Sequence, residues 1–143
     1  MATLAKPTTR TLSAPAGVWA GRILSGLVIA FLLVDAVTKL VAPQFAIDNS
    51  PPLAWELDIG IVRTLAVLLL IPTLLYIHPR TAVLGAVLIT GYLGGAIATH
   101  FRMESPLFTH TLFGVYLGLM VWGGLWLRHP ALRSVFPFDM RKD

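Results

Sequence analysis

Apolar residues gather into four long blocks, Val18 to Val41, Trp55 to Ile77, Thr81 to Phe101 and Leu107 to Leu127, separated by short polar or proline-bearing stretches. Each block is close to the roughly 20 residues an α-helix needs to cross a hydrocarbon core of about 30 Å. The pattern predicts an all-α, antiparallel four-helix transmembrane bundle. The first block is too long for the apolar part of a signal peptide and carries Asp35 and Lys39, so it is expected to be retained as a helix. Pro43 should end it. The stretch from Ala42 to Leu53, with Pro43, Asn49, Ser50, Pro51 and Pro52, reads as the longest loop. Trp55 suits the interface at the start of the second helix, and Pro72 should kink that helix or loosen its end. His78-Pro79-Arg80 is so short a connection that the second and third helices must be antiparallel neighbours.

The flanks differ in character. Residues 1–16, rich in Ala, Thr and Pro, are expected to form a disordered cytoplasmic tail, and residues 17–128 the membrane domain. Residues 129–143, with Arg133, Phe136, Phe138, Arg141 and Lys142, fit a cytoplasmic segment lying on the membrane surface.

Within the blocks, small residues recur at helical spacing. Gly91, Gly95 and Thr99 form one stripe, Gly17, Gly21 and Ser25 begin another, and Gly114 and Gly118 share a face with His110. In lipid, small residues let helix backbones approach, so all three stripes are expected to be packing faces, and those on the first and fourth helices leave room for a homo-oligomer.

Composition agrees with the pattern. The chain is 56% hydrophobic and only 13% charged, with a mean hydropathy of +0.76, which places it in the lipid bilayer. It contains no cysteine, which excludes disulfides, thiol redox chemistry and thiolate metal ligands from this chain. The net charge of +4 is not arranged as a basic stripe with interleaved aromatics, so nucleic acid is not an expected partner. Lys6, Arg10, Arg22, Arg80, Arg128, Arg133, Arg141 and Lys142 fall on the side of the termini, against Lys39, Arg63 and Arg102 on the other. The positive-inside rule therefore makes both termini cytoplasmic.

That topology carries the polar residues to one end. Asp35 and Lys39 close the first helix, Glu56, Asp58 and Arg63 open the second, His100 and Arg102 close the third, and His110 opens the fourth, all toward the outer face. Charges near lipid are expected to pair and face inward. Two readings follow: a network that fixes helix register, or a pocket for a small lipophilic molecule.

The segments Asp35-Ala36-Val37-Thr38-Lys39-Leu40 and Thr90-Gly91-Tyr92-Leu93-Gly94-Gly95-Ala96-Ile97-Ala98-Thr99-His100-Phe101-Arg102, with Pro79-Arg80-Thr81-Ala82-Val83-Leu84-Gly85-Ala86 and Trp122-Gly123-Gly124-Leu125-Trp126-Leu127-Arg128, resemble the DoxX-like family of small bacterial four-helix membrane proteins. The resemblance implies the same bundle, a bacterial inner membrane and an association with quinone-linked redox complexes.

Three functions are open. In a binding or accessory protein, Lys39, Tyr92, Thr99, His100, Arg102 and His110 would line a site for a quinone or similar ligand beside a redox partner protein. In an enzyme, an isomerase or hydrolase for a small apolar substrate, Asp35, Glu56, Asp58, Arg63 and His100 are the catalytic candidates, since a buried carboxylate opposed by a cation suits acid and base work. In a haem or metal protein, His100 and His110 would be the ligands.

Overall fold

The computed structural model describes residues 14–50 and 57–135. The N-terminal tail, residues 51–56 with Trp55 and Glu56, and residues 136–143 with Phe136, Phe138, Arg141 and Lys142 lie outside the described residues.

Helix α1 (Ala14–Val41) ends just before Pro43, as expected. The proline, however, opens a further short helix, α2 (Pro43–Asp48). In the first helical turn its missing N–H is not needed and its fixed φ is already helical. Asn49 Nδ2 and Ser50 Oγ then bond the carbonyls of Phe45 and Ala46 at 2.8 and 2.6 Å. Part of the expected loop is therefore helical.

Helix α3 (Ile59–Ile77) begins four residues later than Trp55 because Asp58 is its N-cap. The Asp58 carboxylate accepts the Ile61 N–H at 2.8 Å, satisfying one of the donors a helix start leaves free. The helix is continuous through the buried Pro72. After a four-residue turn, residues 78–81, comes α4 (Ala82–Arg102). A π-helical turn (Leu107–Thr111) then leads into α5 (Phe113–Arg128), and a short helix α6 (Pro130–Val135) follows.

The four long elements are each long and apolar enough to cross a membrane. They form a ring: α1 packs on α3 and α5, and α4 packs on the same two, while neither diagonal pair brings its backbones within 8 Å. Val28, Leu32, Leu69, Tyr76, Ile89, Val121 and Leu125 fill the centre. The outside is as apolar as the inside, with Val34 and Leu119 both 66% exposed, a surface that only lipid accommodates. The chain is a multi-pass membrane protein.

The end of the ring that holds the 78–81 turn is closely packed. A Cβ on Gly85 would lie 2.6 Å from Tyr76 Cα and 2.8 Å from the Pro72 carbonyl, so glycine is what allows α3 and α4 to meet there. On α1, a Cβ on Gly21 would come within 2.9 Å of the Gly124 carbonyl, and one on Gly124 within 2.5 Å of Ser25 Oγ. Gly21 and Ser25 of this small-residue face pack against α5, whereas a Cβ on Gly17 would meet nothing within 4 Å. Between these contacts stands Tyr76, fully buried. Its hydroxyl donates to the Val121 carbonyl at 2.7 Å and lies 3.1 Å from Ser25 Oγ, so one side chain ties α3 to α1 and α5. The Arg128 guanidinium sits 4.8 Å from the Tyr76 ring centre and donates to the Tyr76 carbonyl at 3.3 Å.

Tyr76→Phe should lower stability by about 1–2 kcal/mol, because it strands the Ser25 hydroxyl in an apolar interior. Thermal unfolding in detergent would show the loss, and Ser25→Ala in the same background should recover part of it, because no hydroxyl is then left without a partner.

Beyond α5, Arg133 bonds back to the carbonyls of Trp126 and Leu127 and lies over the Trp126 ring, and Leu132 is buried. Residues 130–135 are thus folded onto the end of α5.

Candidate functional site

At the opposite end the ring loosens. Asp35 and Lys39 are four residues apart on α1 and form an ion pair that is about a third exposed at most. Tyr92, on α4, lines the same space as both of them. Lys39 has three donor positions, so the pair with Asp35 leaves it able to bond a further group.

His100 reaches this end because α4 is stopped just beyond it. The N–H of Ser105 bonds the His100 carbonyl at 3.0 Å and that of Glu104 bonds the Phe101 carbonyl at 3.1 Å. This is a Schellman ending, with Glu104 in the left-handed position at φ 52° that glycine usually holds. The same turn places Ser105 Oγ 3.3 Å from His100 Nδ1.

His110 arrives from the other side of that turn. The N–H groups of Thr111 and Leu112 donate to carbonyls five residues back, Pro106 and Leu107, which widens one turn before α5 begins. The imidazoles of His100 and His110 face each other with ring centres 5.8 Å apart and a tilt of 57°. Phe31 and Phe113 meet edge to face at 5.2 Å beside them.

These residues border two adjoining spaces. An inner chamber of about 180 Å3 lies among Asp35, Lys39, Tyr92, His100 and His110 over an apolar floor that includes Phe31, Leu69 and Leu117. A larger groove of about 420 Å3 runs between α3 and α4, walled by Val62, Leu65 and Leu68 on one side and by Gly91, Gly95 and Thr99 on the other, with Ala46 and Ser50 of the α2 region at its end. Lys39, Tyr92, Ala96 and His100 border both.

Of the residues singled out from the sequence, Asp35, Lys39, Tyr92, His100 and His110 come together, and Thr99 lines the groove. Asp58 is spent on its N-cap and is exposed. Arg63 is exposed, and Arg102 borders a separate shallow hollow with Glu104 and Ser105. Glu56 lies outside the described residues. The two histidines face one another, but no group of three or more His, Asp or Glu placed to hold a metal occurs among the described residues.

The expected packing role of the Gly91, Gly95 and Thr99 stripe is corrected. A Cβ on Gly91 or Gly95 would meet nothing within 4 Å, and both glycines are exposed and border the groove. The stripe makes room where it was expected to make contact. The His110, Gly114 and Gly118 face is divided: Gly114 packs against Ile97, whereas Gly118 faces open space. Sequence reasoning missed Ala46, Ser50 and Leu57 in the groove wall and Ser105 beside His100. The first three belong to a stretch taken for plain loop and helix start, and Ser105 to a turn without a periodic signal.

A model of the DoxX-like family matches residues 23–124, which span nearly the whole ring of four helices. No curated protein and no solved structure matches the chain.

Proposed function

We propose that this chain, which belongs to the DoxX-like family, binds a lipid-soluble molecule with a carbonyl-bearing head, such as a quinone, at the polar end of its bundle. The observation that carries this reading is that Lys39, Tyr92 and His100 border both the polar chamber and the apolar groove. A site with a few convergent donors and otherwise apolar walls, near the 300–1,000 Å3 of typical small-molecule pockets, suits such a ligand. Lys39 and Tyr92 donate to the head, His100 completes its surroundings, and the groove holds apolar substituents. The charge distribution of the sequence turns this end toward the outer face of a bacterial inner membrane. There the protein serves as an accessory to membrane redox chemistry and presents the ligand to a partner protein.

The test is direct. Gently extracted protein is analysed by mass spectrometry for co-purifying quinone, and delipidated protein in detergent is titrated with a decyl-substituted benzoquinone while tryptophan fluorescence is followed. Saturable binding at one site per chain is expected. Absence of both a co-purified and a titratable quinone would overturn the reading.

A further inference from the structure

The groove borders the outside of the bundle in the middle of the membrane span. Gly91 and Gly95 lie well inside α4, itself a membrane-crossing segment, and Leu68 faces them from α3; all three are exposed and all three wall the groove. Exposure at this depth is exposure to acyl chains. Gly91, Gly95 and Leu68 bring no polar side chain to the mouth, Ser50 and Thr99 add hydroxyls elsewhere in the lining, and Lys39, Tyr92 and His100 stand where the groove adjoins the inner chamber.

Two features keep this mouth open. The missing side chains at Gly91 and Gly95 leave volume that no neighbour occupies. On the facing helix, Pro72 supplies no N–H to the Leu68 carbonyl, so the α3 backbone is less tightly held at the rim. Farther along the same two helices, Gly85 brings α4 against Tyr76, and the groove is lined only by residues of the polar half and the middle of the span.

From this geometry we propose that the ligand enters sideways from the bilayer between α3 and α4. The class it selects is a single-chain amphiphile, an isoprenoid or alkyl tail on a compact polar head. The head lies at Lys39, Tyr92 and His100, and the tail runs through the groove past Gly91 and Gly95 into lipid. The proposal rests on the binding reading above and specifies its route and its ligand class. A space walled by two neighbouring helices admits one chain, and entry from lipid removes the need to carry an apolar tail through water.

Gly91→Leu and Gly95→Leu test it. Each adds a side chain that meets no neighbour at its Cβ and replaces a poor helix former, so both variants should fold. Gly94→Leu is the control, since Gly94 is exposed but is not part of the groove wall. The probes are a decyl-substituted benzoquinone and the same ring without its tail, titrated in nanodiscs of defined phospholipid. Gly91→Leu and Gly95→Leu should weaken the decyl compound at least tenfold while leaving the tail-less ring within twofold, and Gly94→Leu should change neither. If the wild type binds both probes and the two groove variants leave the decyl compound unchanged, or weaken both probes alike, the lateral route is wrong while the binding function stands. If the wild type binds neither probe, the binding function itself fails and the route falls with it.

Discussion

Gly85→Val is expected to be strongly destabilising, lowering stability by about 3 kcal/mol, the upper end of what overpacking costs. The Cβ it introduces would meet the Tyr76 Cα and the Pro72 carbonyl, both backbone atoms that cannot rotate away. Relief requires α4 to move off α3, and that movement would also pull on Tyr76, whose hydroxyl reaches Val121 and Ser25. Thermal unfolding in detergent, with Gly94→Val as the exposed comparison, measures the effect. The Gly94 variant should be neutral or slightly more stable, because nothing lies near its Cβ.

The second large effect is on binding. Lys39→Ala removes the cation that borders both spaces, and a hydrogen bond from a charged donor contributes about 1.5–3 kcal/mol, so affinity for the decyl benzoquinone should fall about tenfold to a hundredfold. The same change leaves Asp35 without its partner near lipid, where an unpaired charge is costly. Stability should therefore fall too, and the double variant Asp35→Asn with Lys39→Ala separates the causes. It should regain the lost stability, because no lone charge remains, yet stay impaired in titration. Recovery of affinity in the double variant would show that Lys39 acts only by neutralising Asp35.

The bundle was legible in the sequence because lipid imposes a length and an apolar composition on anything that crosses it, and the four blocks met both. The convergence of Asp35, Lys39, His100 and His110 followed from counting crossings. Arg63 and Asp58 followed the same count to the same end and yet stand outside the chamber, since end and facing are separate properties: Asp58 is drawn to the free N–H groups of its own helix, and Arg63 points outward. Glycine spacing was the least reliable guide. Gly85 and Gly91 look alike in the sequence, but one sits where two backbones meet and the other on the exposed wall of the groove, and only the partner helix distinguishes them. The π-helical turn had no signal at all, because one additional residue in a helix changes neither composition nor length by a noticeable amount.

The unequal tightness of the ring has a mechanical meaning. Tyr76, Gly85 and Arg128 would serve as the hinge pin of a pair of tweezers whose jaws are the tips of α3 and α4 at the other end. A guest that spreads the jaws by a small amount strains little of what holds the protein together.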